Sequence, residues 1–237
     1  MPNNFFQFKQ FRIEQGNSAM KVGIDSVMLG SWASAPNARN ILDIGCGTGL
    51  LSLMLAQRNT SAIIVGVEID NNAIVDAEAN ISSSKWKSRI SITRSSFQSF
   101  TKQTQQKFDL IISNPPFFDG SNLPLNNSRI IARHDISLGM QELIDGSVEL
   151  LSEDGVLSVI YPSDRIVSFI DYAKQKGLHA NRLCKVFPNE KKASHRTMVE
   201  FTQNNIIALK EESLIIRNQD GKYSDEYNRL TSDFYLK

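Results

Sequence analysis

Asn114-Pro115-Pro116-Phe117, at the end of an apolar run, is the segment of this chain best suited to chemistry on an amine. Two consecutive prolines fix φ and push the residue before them toward extended geometry. The segment is therefore a rigid holder with two acceptors, the Asn114 amide oxygen and the Pro115 carbonyl, one for each proton of an NH2 group. Phe117 adds a face against which a planar ring can stack. A ring amine is a poor nucleophile because its lone pair is delocalised. Hydrogen bonds to Asn114 and Pro115 localise that lone pair, and in-line displacement then depends on orientation more than on a general base. No metal or nucleophilic side chain is called for. A Pro-Pro pair can also simply end a strand, and it is a second motif that weighs against that reading.

The second motif is Asp43-Ile-Gly-Cys-Gly-Thr-Gly49, which follows another apolar run. Gly45, Gly47 and Gly49 fall at alternate positions between a strand and a helix, where the turn needs unusual backbone angles and a side chain would block a ligand. A ligand held there lies outside the carboxyl ends of parallel strands. A dinucleotide site wants G-x-G-x-x-G or a terminal Ala, but the register from Gly45 reaches Leu50 and from Gly47 reaches Ser52. Asp43 suits a cationic group such as an amino acid's ammonium, and Glu68 could hold ribose hydroxyls in either kind of enzyme. The two motifs together suggest methyl transfer from S-adenosylmethionine to a base nitrogen.

These residues need a scaffold, and the rest of the chain supplies one. Asn40–Gly45, Ala62–Asp70, Ile90–Ser96, Phe108–Ser113 and Val156–Tyr161 read as strands rich in Ile and Val. Leu50–Arg58, Asn71–Ser82, Met140–Leu151 and Asp164–Lys176 read as helices between them, with Glu153-Asp154-Gly155 and Gly177 as stops. Strands this evenly apolar are buried on both faces, as in an α/β parallel sheet covered by helices. After Gly177, Arg182–Phe187, Thr197–Thr202 and Ser213–Arg217 look like strands joined without helices, so the sheet is expected to end antiparallel. Ser224–Tyr235 is a candidate terminal helix. Residues 1–39 form an N-terminal extension before a main domain of residues 40–237. The stretch 117–138 has weak periodicity beside the Asn-Pro-Pro-Phe motif, and long loops of that kind tend to be functional or disordered.

Composition excludes little more. The 237 residues are 41% hydrophobic and 22% charged, ordinary for a chain with a core, and the net charge of +1 excludes a polycation. Cys46 and Cys184 have no metal-ligand spacing, and Cys46 sits inside the glycine loop, which favours a reducing compartment. The N-terminus lacks a signal peptide's apolar core and no 18-residue apolar run exists, so a cytoplasmic protein, monomeric by default, is expected.

Asp43–Gly49, the acidic Glu68 and Ser96-Phe97 resemble the Rossmann-like S-adenosylmethionine-dependent methyltransferases. The resemblance implies Asp43, Gly45, Gly47 and Gly49 near the methionine part, Glu68 on the ribose, and Ser96 and Phe97 beside the adenine. Serine stands at 96 where many relatives have aspartate. Ala19–Gly30 looks like the segment that precedes the sheet in the amino-methylating members, which would place Lys21, Gly23 and Asp25 near the methionine end. The whole layout, including Phe11-Arg12-Ile13 and Ala132-Arg133-His134-Asp135, resembles the bacterial tRNA1(Val) adenine-37 N6-methyltransferase family. Ile24 departs from a threonine frequent in that family.

Charge bears on the acceptor. Between Ala173 and Arg196 seven Lys/Arg (174, 176, 182, 185, 191, 192 and 196) face a single acid, Glu190. Such a run is usually a solvated face, but its segregation also fits a phosphate-contacting patch. Arg129, Arg133, Lys185, Lys191, Lys192 and Arg196 are the candidate tRNA contacts. His134 has no partner cluster that would make it a base or a metal ligand, and no metal is expected. Rival acceptors are guanine N2 in rRNA, adenine in DNA and a protein glutamine. A glutamine enzyme would more often carry Tyr at 117 and a separate N-terminal helical domain. A non-catalytic cofactor- or RNA-binding module is the rival from another class.

Overall fold

The computed structural model describes residues 3–35, 37–116 and 138–236. A hairpin of β1 (Phe5–Gln7) and β2 (Arg12–Glu14) leads into α1 (Ile24–Trp32). Then β3 (Asn40–Ile44), α2 (Leu50–Arg58), β4 (Ile63–Glu68), α3 (Asn71–Ser82), β5 (Ile90–Arg94), α4 (Phe97–Gln103) and β6 (Phe108–Ser113) alternate. They are followed by α5 (Met140–Leu150), β7 (Leu151–Pro162), α6 (Ile166–Gln175), β8 (His179–Asn189), β9 (Arg196–Thr202), β10 (Lys210–Arg217) and α7 (Asp225–Thr231).

Eight strands form one sheet in the order β10-β8-β9-β7-β6-β3-β4-β5. The expected parallel α/β sheet is present, and chain reversal places β3, β4 and β6 side by side with their carboxyl ends on one edge. The expected antiparallel end is present in one strand. Only β9 runs against the rest: it pairs antiparallel with β7 and β8, while β10 pairs parallel with β8. The strand pattern shows which segments are extended but not that β10 crosses β8 to its far side.

Three local expectations also change. Glu153-Asp154-Gly155 lies within β7 as a bulge, where pairing with β6 shifts register between Phe108 and Leu110. A Cβ on Gly155 would come within 2.8 Å of the Phe108 carbonyl oxygen, so the bulge has no room for a side chain. Helix α4 was not legible from its polar run; its signal is the Ser96 cap with Phe97 and Phe100 buried one turn apart. The terminal helix is shorter, beginning at the Ser224 cap and ending at Thr231.

Two apolar clusters cover the sheet. The first joins Phe8, Phe11 and Ile13 of the hairpin region, Val27, Met28 and Leu29 of α1, and Ile41 and Ile64 of the sheet. The first 39 residues are thus built into the same core as the strands. No described helix is long and apolar enough to cross a membrane.

Candidate active site

The register of the sheet explains why two distant motifs meet. Ile44 pairs with Ser113 on one side and Val67 on the other. Gly45, Asn114 and Glu68 therefore leave three adjacent strands at the same level, with strands about 4.8 Å apart. The glycine loop, the Asn-Pro-Pro holder and the acidic residue share one edge.

All three loop glycines have positive φ (66° at Gly45, 55° at Gly47, 78° at Gly49), a conformation that costs other residues steric strain. A Cβ on Gly45 or Gly47 would meet nothing within 4 Å, so the space above the loop is open. That is a cradle into which side chains would intrude, and it fits a small-molecule cofactor. The loop is anchored by hydrogen bonds from the Gly45 and Cys46 N–H groups to the Val67 carbonyl, 2.8 and 3.2 Å. Gly47 N–H donates to Glu68 Oε2 at 2.8 Å, and Ile69 and Asp70 N–H donate to Oε1 at 2.8 Å. A carboxylate has about four acceptor positions, so one remains for a ligand hydroxyl.

Asp43 lies beneath the loop, fully buried. Its Oδ2 accepts from the Ser52 N–H at 3.0 Å and the Ser52 hydroxyl at 2.7 Å, while Oδ1 is buried without a partner. Burial pushes this carboxyl up to about 7, with the Glu68 charge adding to the rise and the Ser52 hydrogen bonds opposing it. With no surface of its own, Asp43 could bear on a ligand only through the loop. The Cys46 thiol is also buried and is pushed well above its usual range by burial and the charges of Asp43 and Glu68, so it is no nucleophile.

Asn114 is half-buried at the end of β6. Its Nδ2 donates to Ser26 Oγ of α1 at 2.8 Å, and its Oδ1 has no partner among the described residues. Pro115 is buried and Pro116 half-buried behind it. Phe117, Arg129, Arg133 and His134 lie outside the described residues.

The N-terminal segment crosses the same edge. Asn80 of α3 accepts from Glu14 N–H and donates to the Glu14 and Thr48 carbonyls, tying hairpin, helix and glycine loop together. Asp76 accepts from the Asn17 and Ser18 backbones. Lys21 donates to the Gln15 and Ser18 carbonyls, so its ammonium secures the segment's own turn. Gly23 is exposed at the N-cap of α1. Asp25 forms an ion pair with Arg196 at 2.8 Å, both groups partly exposed.

Other nominated residues are placed differently from expectation. The Phe97 ring is buried against α5, where a Cβ on Gly146 would lie 2.5 Å from it, so its plane is not presented to the cleft. The Ser96 hydroxyl accepts from Ser99 N–H at 3.2 Å as the cap of α4. Two residues that the motif reading missed stand out instead. Ser26 holds Asn114, and its signal was its position next to Asp25 in the first turn of a helix. Ile69, 43% exposed directly after Glu68, offers an apolar surface beside the acid.

The basic segment is divided by the sheet. Lys176 pairs with Asp145 at the end of α6, and Arg182, at the opposite edge of the sheet, pairs with Glu212 and stacks over Trp32. Arg196 is committed to Asp25, and Lys185 faces Glu211 at 3.5 Å. Lys191 and Lys192 are exposed in the β8–β9 turn, at the same edge as the glycine loop.

Residues 17–169 match the model of the methyltransferase small domain family. The chain is 40% identical over its whole length to the whole of a tRNA1(Val) (adenine(37)-N6)-methyltransferase from Trichodesmium erythraeum. It is 43% identical, over 99% of its length and 96% of the relative's, to a protein of the same name from Vibrio cholerae. A predicted O-methyltransferase structure from Agrobacterium tumefaciens shares the fold, with a TM-score of 0.71 at 16% identity over 89% of this chain and 96% of that one. An open glycine cradle, an acid at the end of the next strand and an Asn-Pro-Pro holder on one sheet edge agree with these likenesses: the chain belongs to the methyltransferase small domain family, among the relatives named tRNA1(Val) (adenine(37)-N6)-methyltransferase.

Proposed function

We propose that this protein transfers a methyl group from S-adenosylmethionine to the exocyclic N6 of an adenine in tRNA, with adenosine 37 of tRNA1(Val) as the target. The observation that carries the reading is the Asn114 amide, oriented by Ser26 with its oxygen unpartnered, at the same level as the glycine cradle. The names of the full-length relatives supply the acceptor.

When bound, S-adenosylmethionine supplies a methyl group on a sulfonium, an electrophile no side chain can provide. Gly45, Gly47 and Gly49 let the backbone approach the methionine part, with the Asp43 charge beneath, and Glu68 receives ribose hydroxyls. Ile69 lies against the adenine, beside the Ser96-Phe97 turn. Lys21, Gly23 and Asp25 belong to a segment that covers the methionine end. Asn114 Oδ1 and the Pro115 carbonyl accept the two protons of the target amine and turn its lone pair toward the methyl carbon. As N6 bonds to the methyl carbon, the carbon–sulfur bond would break with its electron pair left on sulfur, so the positive charge moves from the sulfonium to N6, where the same acceptors stabilise it until the surplus proton passes to water. The target base must leave its stack, at a cost of a few kcal/mol that is smaller in a strained loop, and Phe117 stacks on it.

Incubation with labelled cofactor and tRNA from a strain lacking the gene, followed by nucleoside mass spectrometry, is expected to show new N6-methyladenosine. Label in N2-methylguanosine or in protein alone would replace this reading. Lys191 and Lys192 are the tRNA contacts best supported by exposure and position. Changing both to alanine should weaken tRNA binding and reduce the slope of log affinity against log salt by roughly 1.5. An unchanged slope would make them a solvated face.

A further inference from the structure

We propose that Ser26 is a positioning residue for the transfer, holding the Asn114 amide by its nitrogen so that its oxygen is left for the target amine; this rests on the function proposed above. An asparagine amide has one accepting and one donating end of nearly equal size, and only the oxygen is useful toward an NH2 group. Rotation by half a turn would present two N–H donors to two N–H donors. In the described structure the donating end is the one held: Asn114 Nδ2 donates to Ser26 Oγ at 2.8 Å, and that contact keeps the amide in place as long as the hydroxyl acts as acceptor. The opposite end, Oδ1, is left without any partner. A buried carbonyl oxygen lacking a hydrogen bond is unfavourable, and such exceptions in a folded protein call for an explanation. Reception of a donor from the substrate provides one.

The support for Ser26 is itself braced. Ser26 lies in the first turn of α1, whose Val27, Met28 and Leu29 are fully buried, so the turn cannot shift as a whole without disturbing the core. The neighbouring Asp25 is tied to Arg196 at the start of β9 by the 2.8 Å ion pair. The buried face of α1 and the Asp25–Arg196 pair thus fix the turn that carries Ser26. Oδ1 is buried as well as unpartnered when the target amine arrives. A preset orientation means that the amide need not be reorganised at that moment.

The test compares Ser26→Ala and Ser26→Thr in the full-length protein. Ser26→Ala should lower kcat about tenfold, with KM for tRNA and the calorimetric Kd for S-adenosylmethionine unchanged, because Oδ1 loses its preset orientation toward the amine of the transition state. Ser26→Thr keeps the hydroxyl at this half-buried position and should restore kcat. The 15N-labelled Asn114 side-chain NH2 pair, identified by its loss in Asn114→Ala, should move in Ser26→Ala and return toward its native position in Ser26→Thr. Wild-type kcat in Ser26→Ala, a loss in cofactor affinity or stability instead of kcat, or an unmoved amide pair would overturn the role of Ser26. If the wild-type protein methylates no tRNA, it is the proposed function that fails, and the amide resonance still decides whether Ser26 orients Asn114.

Discussion

Asn114→Ala is expected to reduce methyl transfer about 100- to 1000-fold while S-adenosylmethionine still binds. The substitution deletes Oδ1, the unpartnered acceptor, and Nδ2, its tether to Ser26. The cofactor cradle is assembled from other groups: the positive-φ glycines, the Val67 carbonyl and the Glu68 carboxylate, none of which touches the Asn114 side chain. The loss should therefore appear in kcat, with calorimetry giving near-native cofactor affinity. Loss of both would mean that Asn114 props the glycine loop and does not serve the acceptor. Asn114→Asp keeps the oxygen but adds a charge beside an amine that becomes positive, and comparing it with Asn114→Ala separates acceptance from shape.

The second large effect concerns Asp43 and pH. The native carboxyl keeps its proton up to about 7, whereas the unfolded chain releases it near 3.8. Between those values the folded state holds the extra proton, so this group makes stability fall as pH rises and adds no further change outside that window. The full effect is on the order of 4 kcal/mol. Asn at position 43 can still accept from Ser52 but does not titrate. Urea unfolding of the cofactor-free protein at pH 5 and pH 8 should therefore show Asp43→Asn gaining on the wild type by about 2–3 kcal/mol at the higher pH, the part of the window that lies above pH 5. Parallel curves would sink the assignment. Glu212 does not confuse the comparison. Burial raises it, but hydrogen bonds from Lys210, Trp32 and Arg182 outweigh that and bring it to about 2, so its contribution is lost only as pH falls below about 4.5. A cationic ligand group above the loop would favour the ionised carboxylate. Cofactor binding should accordingly release a proton below pH 7, measurable as a dependence of the binding heat on the ionisation enthalpy of the buffer.

Much of this site was legible in one dimension because the groups concerned are local. The need for glycine at 45, 47 and 49 is a matter of backbone angle at each residue, and all three positions have positive φ. The stiffness of Asn114-Pro115-Pro116 is likewise covalent. Strand and helix positions followed from apolar periodicity, with ends displaced by a few residues. The charge run from Lys174 to Arg196 was also plain to see, but its meaning was not. A linear count of charge ignores the fact that a strand carries residues from one edge of the sheet to the other. Arg182 ended in a network with Glu212 and Trp32, and Arg196 on Asp25, while Lys191 and Lys192 stayed exposed on the sheet edge that carries the glycine loop.

By itself, the sequence determined the two motifs, their chemistry and the sheet that must carry them, because glycine, proline and apolar period act through the chain's own covalent geometry. Only the tertiary structure decided which side chains serve those motifs. Ser26 reaches Asn114 across 88 positions, Gly47 reaches Glu68 across 21, and Phe97, named for the cleft, turns into the core. Partnerships of that kind depend on strand order and register, which place residues at one level of the sheet without any signal in their spacing along the chain.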